Sequence, residues 1–378
     1  MTAGLFLCLF ASQSAVIAMA PSLSSAAADL DVSISAAGQL RTITGLVAGL
    51  TALARAVIAR RVPLGRQLLA GTMLLALGSA ASAAAGSYAV LALAQVPVGV
   101  GVAVLTTAAV VAAAEWAPPE SRTAVLSWTL NGQPAAWVVG MPILGSVGWR
   151  LGWLVLPLVA SVAAALFLLG RSRRHDAVTP VRPMRVVLRN RALARWLASE
   201  LLANAGWAGT LVYSGAAFTE TYGISAAATG VVLAAGAAGY VVGNLSARRI
   251  AGEPSTEKLA LLSLALVLTV GCFGIARTSV AVSTVLFAVA AFVAGGRTLV
   301  ASAYGLGVAP ACRASLTSLR AATMQFGYFL GSIAGGIALA AGGYGAVGLT
   351  MSCFFLVAAV TVSRRAYPAY TTQAQPSQ

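Results

Sequence analysis

Glu200 and Arg297 are the ionisable residues of greatest chemical interest, because each lies within a long apolar stretch of the chain. A charge is costly in apolar surroundings, so an ionisable residue kept there is a candidate for function. Glu200 would either carry a proton or pair with Arg195 or Arg320 near a helix end. Arg297 would hold an anionic group, pair with an acid, or extend to the nearest polar surface.

A second set of candidates consists of polar and aromatic side chains in similar apolar stretches, where they would line a binding cavity. Asn131 and Gln133 are two residues apart on a predicted helix, so they cannot face the same direction. For every member, packing between helices is the competing interpretation. The set is Gln13, Asn131, Gln133, Asn204, Trp207, Tyr240 and Gln325, with Trp128, Trp137 and Tyr213 beside them.

The residue types do not indicate catalysis. The single histidine is His175, and the four cysteines have neither metal-ligand nor redox spacing. The sequence contains no paired carboxylates and no Walker-type phosphate loop. Since catalysis needs a nucleophile and a base, or metal ligands, within reach of each other, we predict a protein that is not an enzyme and holds no metal or cofactor.

The elements that position these residues are predicted from composition. The chain of 378 residues is 59% hydrophobic and only 9% charged, with a mean hydropathy of +0.88, whereas soluble domains are about 25% charged. Its net charge of +15 does not indicate nucleic-acid binding, because the charges lie in short gaps between apolar runs. We therefore predict an all-α integral membrane protein.

Stretches of about 20 apolar residues are long enough to cross a bilayer as helices. Twelve such stretches occur, six on each side of an arginine-rich segment. They are residues 3–26, 37–58, 66–86, 88–113, 123–146, 150–170, 196–219, 226–247, 258–276, 279–303, 316–339 and 344–363.

The basic residues predict the orientation and the domains. Twenty of the 24 lie on one side if both termini are cytoplasmic, in agreement with the positive-inside rule. Of the other four, Arg41 is interpreted as an outer gate or interfacial charge. The predicted domains are a six-helix bundle over 1–170, a basic cytoplasmic linker over 171–195, a second bundle over 196–365 and a cytoplasmic tail over 366–378.

The two halves also resemble each other in sequence. Residues 56–61 and 243–249 both close an apolar run with paired arginines. The fifth and eleventh stretches both carry small residues about four apart, which allows helix backbones to approach closely. The offset of about 190 residues indicates a duplicated six-helix unit and two pseudo-symmetric bundles.

With this organisation the chain resembles the major facilitator superfamily over nearly its whole length, and within it the twelve-helix drug:proton antiporter branch. The loop signature between the second and third helices is matched at Arg61 and, one residue late, at Arg66, but Arg60 replaces its aspartate. Arg248 lies in the corresponding loop of the second half. The resemblance implies that this loop latches the cytoplasmic side.

Two further signatures of this branch are present in degenerate form. Pro142 and Gly145 match the exporter signature of the fifth helix, where Pro142 removes a backbone donor and can kink the helix. In the fourth helix, Gln95 stands where the resemblance places an arginine implicated in proton handling. Coupling by the usual route is therefore not assured.

The resemblance implies a secondary active transporter that works by alternating access, and we expect it to act as a monomer. The alanine-rich composition, with arginine far more frequent than lysine, predicts that it lies in a bacterial plasma membrane. Its partners are a small-molecule substrate, the lipid bilayer and possible coupling protons. Many aromatic residues and few fixed charges in the predicted cavity favour a small apolar or amphipathic substrate, and the resemblance implies export of it coupled to protons. The alternative is a facilitator or importer of a polar metabolite such as a sugar, without the usual proton coupling.

Overall fold

The computed structural model describes residues 1–58, 62–169, 189–250, 255–308 and 313–363, and in these ranges the chain forms helices and short turns without a strand. Arg61, most of the predicted linker and the tail over 366–378 lie outside the described residues. The all-helical class predicted from composition is confirmed.

The helices before the linker begin at the second residue and follow one another closely. A 3-10 turn at Ala20–Ser22 and a π-helical turn at Leu154–Leu158 lie between them. They are α1 Thr2–Ile17, α2 Leu23–Asp29, α3 Ile34–Gly38, α4 Leu40–Ile58, α5 Leu64–Ala83, α6 Tyr88–Trp116, α7 Arg122–Leu130, α8 Gly132–Val147, α9 Trp149–Trp153 and α10 Val159–Leu169.

The helices after the linker are fewer and longer. The first begins at Arg191, earlier than the predicted start at 196, because the Asn190 side chain accepts hydrogen bonds from the amides of Ala192 and Leu193 and caps the helix. They are α11 Arg191–Tyr222, α12 Ala226–Ser246, α13 Thr256–Ile275, α14 Val280–Val308 and α15 Arg313–Ser363.

Helices cover each of the twelve predicted stretches, and within the described ranges seven helical stretches are long and apolar enough to cross a membrane. The last two predictions meet within α15 at Gly342 and Gly343, where the backbone leaves the helical region. Gly343 has φ +67°, which glycine adopts without strain. The seven stretches are Thr2–Asp29, Tyr88–Trp116, Trp149–Leu169, Ala226–Arg249, Thr256–Ile275, Val280–Gly305 and Ser318–Ser363.

The prediction of one continuous helix over 123–146 is wrong in detail, because α7 ends at Leu130 and α8 begins at Gly132. Pro134 has no amide hydrogen to donate to the Leu130 carbonyl, and this missing bond explains the break. The π-helical turn contains Pro157 in the same way. Prolines thus interrupt the regular α-helix in both the fifth and the sixth predicted stretches.

The two halves pack against each other mainly through two helix pairs, α4 with α15 and α8 with α12. Glycine brings these backbones together, since a Cβ atom on Gly145 would collide with the carbonyl group of Ala226. A similar approach holds α11 and α15 together within the second half, where a Cβ on Gly331 would collide with the backbone of Ala205. Small residues in the fifth and eleventh stretches therefore lie at close helix contacts, as their spacing predicts.

We expect Gly331→Ala to lower the Tm of the purified protein, because the new methyl group forces α11 and α15 apart. Overpacking of this kind costs about 1–3 kcal/mol. The matched control is Gly86→Ala, since no atom lies within 4 Å of a Cβ built there. Equal Tm values for the two variants would contradict the close packing of α11 and α15.

Candidate functional site

Three of the predicted site residues, Trp137, Tyr240 and Trp207, form one aromatic cluster that crosses the interface between the halves. The Trp137 indole N–H donates to Gln13 Oε1 at 3.1 Å, which ties α8 to α1. The Trp137 ring stacks on Tyr240 of α12 with centroids 6.2 Å apart, and Tyr240 stacks on Trp207 of α11 at 6.3 Å. Helices from both halves therefore contribute to a single apolar surface with polar edges.

Two buried polar atoms at this interface have no hydrogen-bond partner among the described residues. They are the indole Nε1 of Trp207 and the side-chain oxygen Oε1 of Gln325. Gln325 lies on α15 where it meets α4, since its backbone oxygen is 3.0 Å from a Cβ built on Gly45. A buried polar atom without a partner is rare in folded proteins, so a bound molecule is one way to satisfy these two.

A cavity of about 50 Å³ lies between α1, α4, α6 and α11. Gln95, on the α6 side of it, accepts a hydrogen bond from Thr44 at 3.0 Å and donates to Ser82 at 3.2 Å. Gln95 therefore links three helices, and its hydrogen bonds are satisfied within the protein. This residue, which stands where the resemblance implies an arginine, fixes the wall of the cavity.

Arg41 also lines this cavity, and its guanidinium carbon lies 4.7 Å from the centroid of the Tyr328 ring. Both Nη atoms are buried without a hydrogen-bond partner among the described residues. The interpretation of Arg41 as an outer gate or interfacial charge did not include a place in the wall of a cavity. The available signal was the polar run Gln39, Arg41, Thr42 and Thr44 at the start of an apolar stretch.

A second cluster surrounds Glu200, whose side chain is 2% exposed. Its Oε1 lies 2.7 Å from Arg297 Nη1, and its Oε2 lies 3.0 Å from Arg320 Nε. Arg297 also donates to Ser263 at 2.8 Å and to the Ser199 hydroxyl at 3.1 Å. The cluster thus joins α11, α13, α14 and α15.

This geometry shows which of the predicted contacts of both residues are present. Arg320 is one of the two predicted pairing partners of Glu200, and the pair is present. Arg297 is 4% exposed and pairs with an acid, so the expectation that it extends to the polar surface is wrong. Arg297 forms this ion pair because a guanidinium buried at this place needs a counter-charge. Asn204 donates to the Glu200 backbone carbonyl at 2.7 Å and not to its carboxylate.

Among the described residues, the remaining candidates make no side-chain hydrogen bond, ion pair or ring contact with either cluster. Asn131 is exposed at the break between α7 and α8, and Gln133 is partly buried beside it. Arg66 and Arg248 are exposed. Pro142 lies beside Gly230 where α8 meets α12, 3.2 Å from a Cβ built on that glycine.

Hydrogen bonds from residues in and next to α3 also join the first half to the second half. Gln39 donates to the Ser332 carbonyl at 3.1 Å and to the Tyr213 hydroxyl at 3.3 Å, and Tyr213 donates to the same carbonyl at 3.0 Å. Ser35 donates to the Gly336 carbonyl at 2.7 Å. These hydrogen bonds close one end of the interface, next to the cavity that Arg41 lines.

We expect Glu200→Gln to destabilise the purified protein strongly, because it leaves Arg297 and Arg320 without their counter-charge. Loss of one partner of a buried ion pair costs about 3–5 kcal/mol, which appears as a large fall in Tm. The control is Asp29→Asn, since Asp29 and its partner Arg150 are 48% and 40% exposed and such pairs contribute about 0–1 kcal/mol. A Glu200→Gln variant as stable as the parent would contradict a structural ion pair.

The helical arrangement matches solved transporter structures along nearly the whole chain. The bacterial homologue of the human lysosomal transporter Spinster, in an inward-facing and unoccupied conformation, matches with a TM-score of 0.71 and 15% identity, over 96% of this chain and 93% of that chain. The nucleoside transporter NupG matches with a TM-score of 0.73 and 15% identity, over 96% and 98%. At these identities the likeness shows a shared fold.

No curated protein matches this sequence closely enough to serve as a relative. The family profile described as Major Facilitator Superfamily matches residues 5–311, which is most of the chain. The match includes α1 to α14, and with them the aromatic cluster residues, Arg41 and Glu200. The chain belongs to the major facilitator superfamily and has the fold of its alternating-access transporters.

Proposed function

We propose that this protein exports small apolar or amphipathic compounds across a bacterial plasma membrane. The observation that carries the proposal is the aromatic cluster of Trp137, Tyr240 and Trp207, which spans the interface between the halves. Stacked rings provide a large apolar surface, while the indole N–H of Trp207 is left without a partner among the described residues. Ligand sites combine these properties, a mostly apolar wall and a few polar groups.

The proposal includes twelve membrane-spanning helices in two six-helix bundles, with both termini in the cytoplasm and one chain as the working unit. Helices over all twelve apolar stretches support the count. The pairing of α4 with α15 and of α8 with α12 supports two related bundles, because the repeat that relates the second stretch to the eighth and the fifth to the eleventh converts one pair into the other. The excess of arginine on one side supports the orientation.

In this arrangement, the hydrogen bonds of Gln39, Tyr213 and Ser332 lie at the outer end of the interface. The contacts of α11 with the first membrane segment come from the 3-10 turn Ala20–Ser22 and from α2, which lie at that same end. The halves are therefore in contact on the outer side of the aromatic cluster. Export would require this end to open while the cytoplasmic end closes.

Proton antiport is the coupling that the resemblance implies, and Glu200 is the proposed proton carrier for it. Glu200 is the only buried carboxyl group among the described residues, but both of its oxygens bind arginine. Proton uptake would have to break these two ion pairs. This observation favours the second candidate, a facilitator without the usual proton coupling.

A direct test measures the flux of radiolabelled 2-naphthoate and 2-naphthamide from proteoliposomes that contain the purified protein. We expect saturable, protein-dependent flux of at least one compound, because both carry an apolar ring and one polar group. Transport that accelerates under an imposed pH gradient supports antiport, and transport indifferent to the gradient supports facilitation. Flux of neither compound would count against an amphipathic cargo.

The aromatic cluster makes a second prediction. Trp137→Leu and Tyr240→Leu should each raise the KM for naphthyl compounds roughly tenfold, since one ring contact contributes about 0.5–1.5 kcal/mol beyond the area that it buries. The control is Trp128→Leu, because Trp128 is 62% exposed and lies outside the cluster. Equal KM values for all three variants would contradict the placement of the site.

The outer closure predicts that a covalent link there stops transport. In a background without the native cysteines, the variant with Gln39→Cys and Ser332→Cys should lose activity when a short bifunctional thiol reagent joins the two positions, and a cleavable reagent should allow recovery. Each single variant treated in the same way is the control. Undiminished flux after complete cross-linking would show that this end need not open.

A further inference from the structure

Arg41 differs from Arg55, Arg297 and Arg320 because neither of its buried Nη atoms has a partner among the described residues. Arg297 and Arg320 share Glu200, and Arg55 on the same helix as Arg41 donates to Gln67 at 2.5 Å and to the Val104 carbonyl at 3.4 Å. Neither Nη atom of Arg41 has a hydrogen-bond partner, and no carboxylate of the described residues forms an ion pair with it. A buried cation without an anion is strongly unfavourable.

The contact of Arg41 with Tyr328 supplies neither a counter-charge nor a hydrogen-bond acceptor for the guanidinium. A ring 4.7 Å away interacts with the cation through its π-electrons, but it accepts none of the hydrogen bonds that the guanidinium can donate. Arginine presents its N–H groups as a planar fork that matches the two oxygens of a carboxylate. The missing partner is therefore an anion with this geometry.

The cavity beside Arg41 has room for such a group. Its volume is about 50 Å³, whereas one water needs about 10–15 Å³, so it holds roughly three or four waters or a carboxylate group. Thr44 and Gln95 line the same cavity, but their mutual hydrogen bond engages the side-chain oxygen of Gln95. Val212 of α11 closes it from the second half, so both halves contact whatever lies inside.

The cavity lies next to residues that suit the rest of an amphipathic molecule. Tyr328 is on α15, three residues from Gln325, whose Oε1 is buried and without a partner among the described residues. Apolar side chains of Ala15, Val16 and Met19 from the first membrane segment line the cavity as well. An anionic head at Arg41 would thus have an apolar body beside it at the interface of the halves.

We propose that Arg41 binds the carboxylate of the transported compound, so that the cargo is an amphipathic organic anion. This inference rests on the proposed function and narrows its substrate class. It also supplies a driving force that needs no free acid in the protein. An anion that moves outward across an inside-negative membrane moves down the electrical gradient.

The test measures binding of tritiated 2-naphthoate and 2-naphthamide to the full-length protein in phosphatidylcholine nanodiscs, by scintillation proximity. The two probes differ in charge and share the ring. We expect the parent protein to bind naphthoate more tightly than naphthamide. Arg41→Gln should weaken naphthoate binding at least about tenfold, since it removes a charged hydrogen-bond donor pair, and should leave naphthamide binding unchanged.

Two further variants separate recognition from folding. Arg55→Gln removes a buried arginine from the same helix and should keep both affinities. Arg41→Lys retains the charge and should keep a preference for naphthoate even where Arg41→Gln folds poorly. Retention of the full naphthoate preference by Arg41→Gln would overturn the inference.

The remaining outcomes are also decisive. Naphthamide binding equal to naphthoate binding in the parent overturns the anion site alone and leaves the proposed function in place. Binding of neither probe overturns the proposed function together with the inference. If phosphatidylglycerol nanodiscs abolish naphthoate binding, the occupant of Arg41 is a lipid headgroup, and the inference is likewise overturned.

Discussion

The ion pairs of Glu200 with Arg297 and Arg320 hold the second half of the molecule together at a place where Glu200 and Arg297 are buried. In such surroundings a charge must have a partner, and each partner must come from a neighbouring helix. The hydrogen bonds of Arg297 to Ser199 and Ser263 extend the cluster to four helices. The same requirement makes Arg41 informative, because its guanidinium lies in equivalent surroundings without such a partner. A bound anion would pair the charge of Arg41 in the way that Glu200 pairs the charges of Arg297 and Arg320.

The helices could be predicted from the sequence because their signal is one of length and hydropathy, which does not depend on distant contacts. Glycine spacing likewise indicated the close helix contacts now seen at Gly145 and Gly331. The break at Asn131 was missed, although Pro134 carried the signal for it. Here the chemistry of one residue outweighs the apolar pattern around it.

The partners of the buried charges could not be predicted in the same way. Glu200 and Arg297 are 97 positions apart and lie on helices that are not consecutive in the chain. Only the packing of α11 against α14 and α15 decides that Arg297 reaches the carboxylate and not the polar surface. The position of Arg41 was harder still to predict, because the spacing of residues in a sequence does not show that a side chain lacks a partner in the fold.

The degenerate signatures acquire a physical meaning beside this packing. Gln95 does not replace an arginine as a charge, but as a satisfied amide that joins α4, α5 and α6. The cationic group in the cavity comes from α4 instead, at Arg41. The chain keeps the superfamily fold without these signature charges, in keeping with a fold that depends on apolar packing and small residues.

The central claim is that the carboxylate of the transported compound pairs with Arg41. The movement of charge during transport tests this claim most directly. Proteoliposomes adsorbed on a solid-supported membrane report the net charge that moves when substrate is added. The account predicts a transient current on a jump in 2-naphthoate concentration, with the sign of inward-moving negative charge, and no current with 2-naphthamide. Flux of both compounds at equal rates without any current would contradict it.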